Sequence, residues 1–123
     1  MPIHRPADST DFVTHGSTFA AYVNPRRGST QLCAWRLTVP PHLNGTPHRP
    51  SREEVLLVLT GRLRVTVDDD SGNLEPGAVV RVPAGALLQI DTDGAGGSAW
   101  VTTTPGLTAA LPDGTTMTPP WAQ

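Results

Sequence analysis

The stretch His48-Arg49-Pro50-Ser51-Arg52-Glu53-Glu54-Val55-Leu56-Leu57-Val58-Leu59-Thr60-Gly61, with Gly77-Ala78-Val79-Val80-Arg81-Val82-Pro83-Ala84-Gly85-Ala86-Leu87-Leu88 beyond it, decides how this chain folds. Each half holds a short run of aliphatic and β-branched residues that stops at glycine or proline, the composition of a strand entering a turn. Thr60-Gly61 reads as a tight reversal. Directly after it Arg62, Arg64 and Thr66 alternate with Leu63, Val65 and Val67, the period-2 pattern of a strand with one wet and one buried face. The strands between this reversal and the turns at 68–73 and 93–97 are expected to be antiparallel neighbours.

Further out, thirteen prolines and twelve glycines in 123 residues leave no window long enough for an amphipathic helix. The chain reads as all-β, with strands predicted over 18–23, 30–39, 54–59, 62–67, 78–82, 86–91 and 98–104. Spacing this regular suggests a sandwich or barrel. Residues 68–73 are a polar turn by composition, and 93–97 a flexible one. The chain is expected to form a single domain over 1–123, with its core at about 18–111. The first eleven or so residues form a polar, proline-bearing arm expected to be partly disordered or to wrap a neighbour. A tail from Pro112 to Gln123 carries Trp121 behind Pro119-Pro120. Large aromatics seek burial, so this tryptophan is expected to pack back across the core or to dock on a second subunit.

Composition removes several classes of function. A formal charge of -2 with the signs interspersed leaves no footprint for nucleic acid or for an anionic membrane surface. All nine basic residues are arginine, which excludes Schiff-base chemistry and a lysine general base. Cys33 is the single cysteine and cannot form an internal disulfide. The opening Met-Pro-Ile-His-Arg-Pro lacks the apolar run of a signal peptide, and no segment has the length and apolarity of a membrane span. The expectation is a cytoplasmic protein whose partner is a small organic molecule.

His48, Glu54 and Gly61 match the first motif of the cupin superfamily, G(X)5HXH(X)3-4E(X)6G, with Pro50 at the second histidine position and His42 at that of the leading glycine. Gly77, Pro83 and Gly85 match the second motif, G(X)5PXG(X)2H(X)3N, with Leu88 at the histidine position and Thr92 at that of the asparagine. Fifteen residues separate Gly61 from Gly77. The chain thus resembles a small single-domain cupin over roughly residues 30–104. The resemblance implies a jelly-roll β-barrel of two antiparallel sheets, and a homodimer, as is common among such proteins.

In that family two histidines and a glutamate from the first motif and a histidine from the second hold a divalent metal. Here the resemblance carries over only His48 and Glu54 as metal ligands, an incomplete set, since first-row sites normally use at least three protein ligands. No cofactor is therefore expected, and a divalent metal requires a stand-in donor from His42, His15, Cys33, Gln31 or Gln89. Strand parity places His48, Pro50, Arg52 and Glu54 on one face. Burial would raise the pKa of Glu54 and a protonated neighbouring His48 would lower it.

As an acid-base pair inside a cavity, His48 and Glu54 suit proton abstraction next to a carbonyl, dehydration or ring closure. Trp35, Arg52, Leu88 and Trp100 are expected to complete a ligand-binding cavity that is mostly apolar. Against this stands a plain structural role, with Glu54 pairing to Arg52 across the mouth and His48 bonding a loop. Arg36 and Arg81 are most simply outward and solvated. The leading expectation is a small-molecule-binding protein, extending to a non-redox enzyme of lyase, isomerase or cyclase type. The alternatives are a metal-dependent cupin oxygenase and a non-catalytic sensor or ligand-binding module.

Overall fold

A computed structural model describes residues 2–123. Its strands are β1 (Thr10–Thr14), β2 (Ser17–Val23), β3 (Cys33–Val39), β4 (Arg49–Pro50), β5 (Glu54–Gly61), β6 (Leu63–Val67), β7 (Asp70–Leu74), β8 (Val79–Val82), β9 (Leu88–Asp91), β10 (Gly97–Thr103), β11 (Ala109–Ala110) and β12 (Thr116–Met117), with 3₁₀ turns at Pro6–Asp8, Pro25–Arg27 and Pro120–Ala122. One layer is a six-stranded sheet in the order β1-β2-β3-β10-β5-β8. Facing it are two three-stranded sheets, β12-β11-β4 and β7-β6-β9. All named pairings are antiparallel.

The two smaller sheets meet at a single residue pair. His48 N–H donates to the Leu88 carbonyl at 3.0 Å and Leu88 N–H donates to that of His48 at 2.8 Å, extending both sheets into one layer. The result is a jelly roll of two packed layers. Among the described residues no ladder joins the layers into a closed barrel.

Alternation sets which side chains meet between the layers. On β5, Glu54, Leu56 and Val58 are buried while Val55 and Leu57 face out. Central strand β10 places Val101 between Trp35 of β3 and Leu56 of β5, and Ala99 between Leu37 and Val58. From the opposite layer Leu63, Val65 and Leu88 close the same apolar cluster. The glycine that ends the first motif has a double reason: Gly61 has φ +66°, and a Cβ there would collide with the backbone oxygen of Gly96. Gly45 is required by proximity alone, since a Cβ would strike the Ile90 carbonyl.

Both chain ends belong to the framework. The region expected to form an arm contains the 3₁₀ turn Pro6–Asp8 and the start of β1, which pairs with β2 along its full length. In the tail Trp121 is 5% exposed and packs back onto the core, its ring stacked on Phe19 at 3.7 Å between centroids. Asn24, 4% exposed, ties the tail down: its Nδ2 donates to the Trp121 carbonyl at 3.1 Å.

Candidate functional site

Between the layers lies a cavity of about 100 Å³. Phe19, Trp35, Leu37, Leu56 and Val101 supply one wall, and Leu88, Ile90, Leu107, Ala109 and Met117 the other. Trp121 of the tail seals one side, and the loop carrying Leu43, Gly45 and Thr46 borders another. Its ionisable groups, among the described residues, are His15, His48 and Glu54.

Glu54 begins β5 and is 5% exposed. No hydrogen bond or charged neighbour among the described residues offsets its burial. Burial pushes its pKa up to about 8, and the group is a neutral acid at pH 7. His48, half-buried, stands across from it. Its Nδ1 lies 3.1 Å from the Thr46 carbonyl oxygen. A carbonyl can only accept, so in neutral His48 the proton sits on Nδ1 and Nε2 is left as a bare lone pair. Burial lowers the His48 pKa, the Thr46 hydrogen bond raises it less, and the positive charge of His15 lowers it further. Near neutrality the cavity therefore holds one proton donor, Glu54, and one proton acceptor, His48 Nε2.

The two groups do not reach this arrangement by shared strand parity. The chain leaves strand geometry at Ser51–Glu53, so His48 and Pro50 belong to the smaller-sheet layer and Glu54 to the six-stranded one. Arg52 falls in that bend, exposed, with its guanidinium over Gly106, and corrects the expectation that it binds a ligand in the cavity. It does not pair with Glu54 either; the ion pairs among the described residues are Arg62–Asp93 and Arg81–Glu53. Trp100 is likewise outside. Its neighbours Ala99 and Val101 point inward on β10, so alternation turns Trp100 to the outer face, against Tyr22 at 5.3 Å. Trp35 and Leu88 do line the cavity. Trp35 Nε1 is buried without a hydrogen-bond acceptor, and the ring lies edge-on to Trp121 at 6.4 Å.

The residues present do not fit a divalent metal. Buried Pro50 and Leu88 occupy the places of two imidazoles, and no three His, Cys, Asp or Glu among the described residues come together closely enough to share an ion. The stand-ins are elsewhere or unsuited. His42 is exposed beside Gly94, Gln31 is exposed, Gln89 donates to Asp91, and Cys33 Sγ contacts the Ala122 carbonyl. His15 alone of these borders the cavity, and with His48 and Glu54 it still forms no ligand cluster. Phe19, Leu43, Leu107, Met117 and Trp121 were not expected in the site. Of these, Trp121 had a signal in the sequence, a lone aromatic on a proline tail.

Comparison with known proteins agrees with the fold. The polyketide cyclase RemF from Streptomyces resistomycificus is 18% identical, with a TM-score of 0.76 over 87% of this chain and 83% of its own. An RmlC-like cupin from Shewanella frigidimarina is 18% identical, with a TM-score of 0.74 over 86% and 92%. Oxalate decarboxylase from Bacillus subtilis matches at 18% identity and a TM-score of 0.73, over 82% of this chain but 28% of its own. Identities this low speak for the fold and not for a reaction. No curated protein sequence matches the chain. The cupin domain profile matches residues 35–103, more than half of the chain and both motif regions. The chain belongs to the cupin family.

Proposed function

We propose that the cavity binds a small organic molecule and that His48 and Glu54 transfer protons on it, making the chain a non-redox enzyme of lyase, isomerase or cyclase type that works without a metal. The observation that carries this reading is the Glu54 carboxyl, buried and unpartnered on the wall of an otherwise apolar cavity. A group held at such cost is the usual mark of a functional site. In the proposed step His48 Nε2 takes a proton from carbon next to a carbonyl while Glu54 gives its proton to the carbonyl oxygen. The pair is restored when the enol O–H returns its proton to Glu54 while the His48 imidazolium gives its own either to a different carbon of a conjugated enol or to a departing hydroxyl, which leaves as water. General acid-base catalysis of this kind contributes roughly 10² to 10⁴-fold.

Cavity size bounds the substrate. Drug-sized ligands occupy about 300–1,000 Å³, whereas this space is about 100 Å³, room for one ring or a short branched chain. The volume favours a small substrate. One observation favours a non-catalytic binding module instead: the shifts of Glu54 and His48 are each set by burial and not by one another, as two independent ligand contacts would be.

Exchange of protons next to the carbonyl of small cyclic ketones in D₂O, followed by NMR, separates the two. Wild-type protein is expected to accelerate exchange, and Glu54→Gln to abolish it while the ketone still binds. Binding with no exchange in the wild type would leave a ligand-binding module.

A further inference from the structure

His15 is the one ionisable residue on the cavity wall that the acid-base reading does not use. It occupies the β1–β2 turn, where His15 and Gly16 both have positive φ, at 51° and 83°, between the paired residues Thr14 and Ser17. Two-residue hairpin turns with both φ positive strongly favour Asn, Asp or Gly at the first position. Histidine there carries a conformational cost that its backbone role does not require. The turn is seated: a Cβ on Gly16 would come within 2.9 Å of Leu43 Cδ1, and Leu43 is itself part of the cavity wall. His15 is exposed and yet borders the cavity, which places it at the mouth.

The wall holds no arginine, no aspartate and no second glutamate among the described residues. Its one acidic group, Glu54, is protonated at neutral pH and can donate a hydrogen bond. The charge of His15 disfavours a second charge on His48. An imidazole at the mouth and a second one on the wall, with no charged carboxylate between them, form a place an anion would satisfy. Inside, the space admits about one ring among Phe19, Trp35 and Trp121.

Building on the small-molecule reading above, we propose that the ligand is a small organic carboxylate whose anionic end rests at the mouth against the His15 imidazolium, with its apolar body between the layers. Neither His15 nor a charged ligand is needed for the cavity to exist. Both are needed for it to prefer an acid over its neutral isostere.

The test compares benzoate with benzamide, titrated by NMR into the intact chain at about pH 6. Benzoate is expected to bind about tenfold tighter than benzamide, the margin by which a charge-assisted hydrogen bond exceeds a neutral one, and to move the His15 ring resonances. His15→Asn, a residue that tolerates left-handed φ and so keeps the turn, is expected to erase that preference, the two probes then binding alike. Equal binding of the two probes by the wild type overturns the inference, as does a preference that survives in His15→Asn. In either case benzamide binding leaves the cavity reading standing. If neither probe binds, both readings fall together.

Discussion

Replacing Glu54 by glutamine isolates the energetic consequence of burying this carboxyl. Its pKa rises from 4.5 to about 8 on folding, so the native state holds a proton that the unfolded chain releases between those values. Stability from this group is fully present below pH 4.5, falls as pH rises and levels off above about pH 8. At about 1.36 kcal/mol per pH unit the full span is worth roughly 5 kcal/mol, a large part of the 5–15 kcal/mol that holds a domain of this size. His48 works in the opposite sense. Its folded pKa lies below 6.5, so its contribution is complete above that value and is lost as pH falls further. Cys33, raised from 9.0, enters only at higher pH. Between pH 6.5 and 8 Glu54 therefore acts with little interference, and urea titrations there should show the wild type losing about 2 kcal/mol, or close to 1 M in midpoint for a typical urea slope. Glu54→Gln keeps a polar group of nearly the same shape and cannot ionise, so its midpoint should stay level across this range and exceed that of the wild type at pH 8. Parallel slopes for the two proteins, or a level wild type, would refute the assignment of a buried, proton-holding carboxyl.

Trp121→Ala should cost about 3–5 kcal/mol in urea unfolding, because it empties a large buried site and removes the stack on Phe19. Asn24→Ala strips the buried Trp121 carbonyl of its donor and should cost about 1–3 kcal/mol, read as earlier proteolysis of the tail as well as a lower urea midpoint. Pro50→His together with Leu88→His places imidazoles at two buried wall positions beside His48 and Glu54, and elemental analysis of the double variant is expected to find near-stoichiometric transition metal. The same analysis of wild-type protein purified without added metal should find little. A near-stoichiometric metal that disappears in His48→Ala would overturn the metal-free reading.

All seven predicted strands exist, with bounds within three residues of those read from the sequence, because each carries apolar alternation or a β-branched run between strong turn signals. The missed strands lack that signal. β7, Asp70–Leu74, has no buried residue and reads as a polar turn, and β1 is an edge strand with the same lack of buried positions. β4, β11 and β12 are two residues each and exist only through their partners. In the site, Leu88 and Trp35 lie inward as expected, while Trp100 lies outward as the alternation of Ala99 and Val101 could already have indicated.

What the sequence alone determined was the frame: glycines and a proline at turn positions, strand alternation between them, and two side chains of the family's metal site replaced by Pro50 and Leu88. Those are local properties, legible because backbone conformation and strand period are set by neighbours along the chain. Which groups share the cavity was decided by the tertiary structure. The bend at Ser51–Glu53 cancels parity between His48 and Glu54, and the packing of one layer on the other brings them back together while leaving Arg52 outside. The same packing brings in His15 and Trp121 from the two ends of the chain. It also settles the competition between desolvation and charge at Glu54 in favour of desolvation, since burial is a property of the whole fold and no stretch of sequence contains it.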